Sequence, residues 1–253
     1  MTRRIATRRE EVPYLPKQHI EREATALLGE YCERHGDVTA PPIPIDEIIE
    51  LHLGLVIELK DMRRLFSFAD VHGALWMKEK IVGVDQSLDP AVSPNKTGRY
   101  HFTLGHEAGH WRLHREHYLE DPNQGNLFGD GVAKPAYVCR SSEAKKRVEL
   151  QADFFAAYLL MPREMMTAAW KTWRGNLDPV ALDELRVHER KIITSEVLRR
   201  GGLAMGQENM DNAMMEWFCR PLADQFQVSA EAMRIRLEDM RLLLREREAS
   251  LFE

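Results

Sequence analysis

Cysteine is scarce in this 253-residue chain, with only Cys32, Cys139 and Cys219, and no two of them stand in C-x-x-C spacing. That excludes a thiolate metal site of the usual kind, and an odd, scattered set suits a reducing compartment better than a disulfide framework. Long apolar runs are missing too. The longest, Phe154 to Met161, is too short to span a bilayer. The first eleven residues are charged and lack the apolar stretch of a secretory signal. No excess of positive charge exists, since the net charge is -5, which argues against a general nucleic-acid coat protein. These absences point to a cytoplasmic protein with no membrane partner. What is present is a 44% hydrophobic composition, enough for one large core or two modest ones.

Along the chain, residues 1–16 read as a charged tail. Residues 17–35 read as a helix with Ile20, Ala24, Leu27, Leu28 and Tyr31 on one side, closed by Gly36. Pro41-Pro42-Ile43-Pro44 reads as a linker. A short helix from about Glu47 to Leu53 is stopped by Gly54. Leu55–Leu59, Gly73–Met77 and Ile81–Val84 read as strands, the last two joined by the turn Lys78-Glu79-Lys80. This predicts a small antiparallel or mixed sheet whose edge is suited to an extended peptide. A helix from about Arg99 to about Glu116 follows. Residues 121–140 hold two prolines and three glycines and read as a long loop, placed to cover a cleft. A second helix is expected from Ser141 to Leu160, with Leu150, Phe154, Ala157 and Met161 as its core stripe. From Pro162 onward the pattern is almost wholly helical.

The first long helix carries His106-Glu107-x-x-His110. Residues four apart share a helix face, so the two imidazoles can grip one ion with Glu107 beside them as a base. Leu104, Ala108 and Trp111 form a stripe on another face. Gly105 and Gly109 each cost about 1 kcal/mol of helix propensity relative to Ala, which suggests that something packs very close to this helix.

Two histidines do not complete a catalytic zinc site, which takes three protein ligands and an open position. His114 continues the ladder, but it lies eight residues beyond His106, about 12 Å along a straight helix, too far to share an ion. The metzincin extension fails as well, with Leu113 and Glu116 at its glycine and third histidine positions. Glu149-Leu150-Gln151-Ala152-Asp153 supplies a better candidate. Glu149 can act as the third ligand, and Asp153, one turn on, can accept the free ring N–H of a ligating histidine. His101, His114, His117 and Tyr118 lie close in sequence, and none is singled out as a second electrophile.

Arg99 to His114 and Glu149 to Pro162, together with Pro44-Ile45-Asp46 and Leu53-Gly54-Leu55-Val56, resemble the motifs of the ImmA/IrrE family of metallopeptidases. The resemblance covers roughly residues 40–165. It departs at Gly105, where the family often has Ala, and at Asp153, where Asn is common; neither change removes a ligand. It implies an α+β, zincin-like domain with a small sheet packed on the H-E-x-x-H helix, followed by an all-helical region. The organisation expected is a tail and helix at 1–39, a peptidase domain at 40–165 and a helical region at 166–253. The resemblance further implies Zn2+ held by His106, His110 and Glu149, Glu107 as base, and cleavage of a helix-turn-helix repressor in a stress-response or mobile-element switch.

The tail leaves a competing reading. Leu222 to Leu237 has the look of helix, tight turn, helix, with Ser229 as a cap. Arg234, Arg236 and Arg241 are candidates for phosphate contacts, although Met233, Leu237 and Met240 form a core stripe between them. The alternative function is therefore a DNA- or repressor-binding regulator whose metal site is not catalytic. Nucleic-acid binding is the less favoured of the two.

Overall fold

The computed structural model describes residues 12–66, 70–119, 137–140, 147–188 and 206–246, with backbone alone at 137–140. Helix α1 (Lys17–His35) buries Ile20, Ala24, Leu27, Leu28 and Tyr31, the stripe its periodicity predicts, and ends at Gly36 with φ +111°. A short helix, α2 (Ile45–Glu47), runs into a π-helical turn at Ile48–His52. Gly54, at φ +66°, reverses the chain into strand β1 (Val56–Lys60). Left-handed backbone of this kind favours glycine because it has no Cβ to clash.

After α3 (Met62–Leu65) come β2 (Val71–Trp76) and β3 (Ile81–Asp85), an antiparallel hairpin pairing Gly73 with Val84 and Trp76 with Ile81. β1 lies parallel to β3, with Val56 opposite Ile81. The segment Tyr137–Arg140, expected as loop, is instead strand β4, antiparallel to β2. Its pairing partner is distant in sequence, so no local pattern announces it. Residues 121–136 lie outside the described residues. The sheet is mixed, in the order β1-β3-β2-β4.

Helix α4 (Thr97–Leu119) packs across one face of this sheet and carries the H-E-x-x-H motif. Leu75, Val82 and Val84 point to its side, whereas Ala74 and Trp76 join Met62 and Val71 in a smaller cluster on the other face. That split follows from the two-residue period of a strand, with Val71 brought to the Trp76 side by the register shift between Val71 and Gly73. Leu104, Ala108 and Trp111 are buried, as their spacing predicts. Arg112 clamps the helix to α1 through Glu23 at 2.9 Å and through Glu30, which takes two hydrogen bonds at 3.0 and 2.8 Å.

Helix α5 is described over Arg147–Leu160; its expected start at Ser141 to Glu143 lies outside the described residues. Of its expected stripe, Met161 is buried and Phe154 and Ala157 are partly so, but the most deeply buried face is turned from it. Leu150 is 42% exposed, and the buried positions are Gln151, Ala152, Phe155, Ala156, Tyr158, Leu159 and Leu160. The reason is α4. A Cβ on Gly109 would come within 3.0 Å of the Phe155 Cβ and 3.1 Å of the Ala152 Cα, and one on Gly105 within 3.2 Å of the Ala156 Cβ. The two helices therefore meet through glycine and alanine, with Ala152 and Ala156 turned inward.

Helix α6 (Arg163–Arg174) ends in a left-handed Gly175 cap. β5 (Val180–Ala181), α7 (Leu182–Leu185), α8 (Gln207–Phe226), α9 (Ala230–Asp239) and β6 (Leu243–Leu244) follow, with β5 and β6 paired in parallel. The helix–turn–helix at α8 and α9 is present, and the Ser229 side chain accepts from the Ala232 N–H. Gln227, at φ +51°, makes the turn. This turn is docked on α4: a Cβ on Gly98 would sit 2.7 Å from the Val228 carbonyl carbon, and the His101 ring meets the Gln227 carbonyl at 3.2 Å. A single apolar cluster runs from Ile20 in α1 to Leu243 in β6.

Candidate metal centre

The crossing of α4 over α5 assembles the site. With glycine and alanine at the contact, the two helices come close enough for side chains one turn away to meet. His106 and His110 project from α4, and Glu149 and Asp153 from α5. His106 Nε2 lies 3.0 Å from His110 Nε2 and 3.1 Å from Glu149 Oε2, and His110 Nε2 lies 3.6 Å from that same oxygen. These three are the one group of potential metal ligands found among the described residues. In a tetrahedral zinc site with bonds of 2.0–2.2 Å, neighbouring ligand atoms stand about 3.4 Å apart. The observed triangle has that size.

Charge and proton placement agree with a cation there. His106 Nδ1 meets Asp153 Oδ1 at 2.9 Å. An ionised carboxylate only accepts, so Nδ1 carries the hydrogen and Nε2 presents its lone pair to the triangle. Burial pushes the Glu149 carboxyl up, but the close approach of the His106 and His110 rings outweighs this and holds it well below the usual carboxylate range. Burial pushes His110 down to about 3 and His114 down to about 4, so both rings are neutral. Neutral imidazole nitrogens and a carboxylate oxygen facing one another repel unless something positive lies between them.

Glu107 supplies the second sign of a missing group. It is fully buried, and neither carboxylate oxygen has a hydrogen-bond partner. An orphaned buried carboxylate costs several kcal/mol unless it is protonated or meets a ligand. Burial, with the neighbouring Glu149 charge adding to it against the pull of His106, raises Glu107 to about 8. Strand β2 sits as close as glycine allows: a Cβ on Gly73 would lie 2.5 Å from the Thr103 Cγ2 and 2.8 Å from Glu107 Oε1. The donor set and the orphaned carboxylate together fit a divalent metal ion.

The remaining histidines sort differently. His114 is buried outside the triangle, its Nδ1 3.1 Å from His110 Nδ1 and its Nε2 2.9 Å from Gln151 Oε1. Gln151 in turn donates to the Pro13 carbonyl at 2.9 Å. Sequence reasoning set His114 aside as a ligand and missed Gln151 altogether; the available signal was a lone amide between Glu149 and Asp153 on an otherwise apolar helix. His101 faces the α8–α9 turn. Two of the three candidate tail arginines are turned into the fold. Arg234 is 7% exposed and held by Glu216 and Glu238, and Arg236 is 1% exposed and held by Glu21 and Asp239. The expectation of phosphate contacts from these two is corrected accordingly, because their charges are already compensated inside the fold.

Among the described residues, no helix is long and apolar enough to cross a membrane. No curated protein matches the chain. Residues 91–189, which contain both halves of the metal centre and leave β1 to β3 outside, match the family model described as the IrrE N-terminal-like domain of peptidase family M78. That segment of the chain is therefore similar to a peptidase-family domain of the ImmA/IrrE kind, the family its two motifs resemble.

Proposed function

We propose that the protein is a zinc-dependent endopeptidase acting in the cytoplasm. Its substrate is a helix-turn-helix transcriptional repressor, cut at a specific site in a stress-response or mobile-element switch. The observation that carries the reading is the convergence of His106, His110 and Glu149 beside the orphaned, buried Glu107 carboxylate.

Zinc held by these three side chains would activate a water at neutral pH and polarise a peptide carbonyl. The protein's own residues supply the rest. Glu107 has a high affinity for a proton because its site is dry. It takes a proton from the attacking water and delivers it to the leaving amine. Asp153 holds the His106 ring in the tautomer that leaves Nε2 bare. Among the described residues β4 ends the sheet beside β2, and its outer edge would take an extended substrate segment. A regulatory substrate suits a site built into a compact core better than general digestion does.

The competing reading, a DNA-binding regulator with a non-catalytic metal, loses support from the buried Arg234 and Arg236. The experiment is to incubate the zinc-loaded protein with the repressor encoded beside it. Expected is a single cut that a chelator abolishes and that Glu107→Gln prevents while still binding zinc. Cleavage by that variant removes Glu107 from the mechanism. Operator binding without any proteolysis favours the competing reading.

A further inference from the structure

We propose that His114 is a positioning residue for the metal centre: anchored by Gln151, its ring fixes the hydrogen of His110 on Nδ1 and leaves Nε2 bare for the ion. This rests on the metallopeptidase reading and adds a residue to it.

The Pro13 carbonyl only accepts, so the amide nitrogen of Gln151 must be the atom that faces it at 2.9 Å. That fixes the amide orientation. Gln151 Oε1 then faces His114 Nε2 at 2.9 Å, and since an amide oxygen cannot donate, Nε2 carries the hydrogen. In the neutral ring Nδ1 is left as an acceptor. The group opposite it, 3.1 Å away, is His110 Nδ1, which must donate. His110 Nε2 then has its lone pair directed at His106 Nε2 and Glu149 Oε2.

The two ligand imidazoles are thus oriented by different means. His106 donates to the carboxylate of Asp153. His110 donates to a neutral relay that begins at the main chain of the segment before α1. A histidine ligand whose outer partner is removed typically loses 10–100-fold in metal affinity. His114 stands outside the ligand triangle and meets it through His110.

The test compares two substitutions at one position. Asparagine places its amide oxygen where Nδ1 of the ring stands and can still accept from His110; leucine fills the space and accepts nothing. Zinc affinity is read by competition with a chromophoric chelator, and the visible spectrum of the cobalt-loaded protein reports ligand geometry. His114→Leu is expected to weaken zinc binding about 10–100-fold and alter the cobalt spectrum. His114→Asn is expected to keep affinity and spectrum close to those of the unsubstituted protein. Melting of the metal-free forms shows whether each is folded. Should His114→Leu fail to fold, Gln151→Leu takes its place and is expected to weaken zinc binding in the same direction. Leucine variants that bind zinc as tightly as the unsubstituted protein overturn the inference, as does an asparagine variant as weak as the leucine one. An unsubstituted protein that takes up no zinc overturns the metal reading itself, and this inference with it.

Discussion

Two buried polar clusters, one at the α4–α5 crossing and one around Arg236, obey the same physics and end in opposite states. Arg236 donates to the Met161 carbonyl at 3.1 Å, to Glu21 at 2.7 Å and to Asp239 at 3.3 Å, and its guanidinium stacks on Tyr158 with 4.5 Å to the ring centre. Lys17 and Arg163 brace the same carboxylates from outside. Its charge is answered by protein on every side, and the cluster ties α1, α5 and α9 together. In the metal centre, lone pairs converge from three side chains, and Glu107 is buried with nothing to bind. A polar cluster closed on itself holds a fold together; one left open in a dry site is set up for a ligand.

Breaking the open cluster should cost function and spare the fold. Glu107→Gln is expected to lower cleavage by about 10²–10⁴-fold, the usual contribution of a general base. Zinc uptake should persist, since Glu107 is not in the ligand triangle; metal content and a cleavage assay on the same sample check both. Breaking the closed cluster should do the reverse. Arg236→Leu leaves Glu21 to Arg163 and Asp239 to Lys17 but removes the donor to the Met161 carbonyl, and is expected to destabilise the fold by about 1–3 kcal/mol, read by denaturant melting. Its zinc affinity, measured under folding conditions, should match that of the unsubstituted protein.

A subtler break acts on the helix crossing. Gly109→Ala gains up to about 1 kcal/mol of helix propensity but forces a Cβ against the backbone of Ala152. Overpacking of this kind costs about 1–3 kcal/mol. The expected outcome is a modest loss of stability and weaker zinc binding, because α5 carries Glu149 away with it. Stability gained with zinc affinity unchanged would show that the close approach is not needed.

The smallest effect concerns pH. Burial raises the Glu21 carboxyl, but the hydrogen bonds and charges of Arg163 and Arg236 outweigh it, so its folded-state pKa lies below the ordinary 4.5. Asp239 is likewise held below 3.8 by Lys17 and Arg236 against its own burial. A lowered carboxylate pKa contributes stability that is present above its unfolded value and lost as pH falls through the folded one. Acid should therefore loosen the Arg236 cluster from about pH 4.5 downward. Glu21→Gln is expected to flatten the dependence of melting temperature on pH in that range while lowering stability at pH 7.

The contrast also separates what the sequence makes legible from what it hides. That His106 shares a face with His110, and Glu149 with Asp153, was readable because four-residue spacing has this effect whatever the surroundings, and Glu107 came with the H-E-x-x-H pattern. Ser229 was readable because a cap acts on its own helix. The buried face of α5 was not, because Leu150, Phe154, Phe155, Ala157, Tyr158 and Leu159 put apolar groups nearly all round, and only the glycines of α4 select a side. β4 was hidden because its pairing with β2 spans about sixty residues of chain. Arg234 and Arg236 looked like surface charges because their partners Glu216 and Glu21 are recognisable only once α1, α8 and α9 are docked. Gln151 was hidden for the same reason, its acceptor Pro13 being far away in sequence.

The central claim is that side chains from two helices share one ion. The most direct measurement is a zinc titration of the metal-free protein beside its Glu149→Ala form. One tightly bound zinc per chain, lost or severely weakened when the α5 carboxylate is removed, is the predicted result. Equal zinc binding by the two proteins, or none by either, would contradict it.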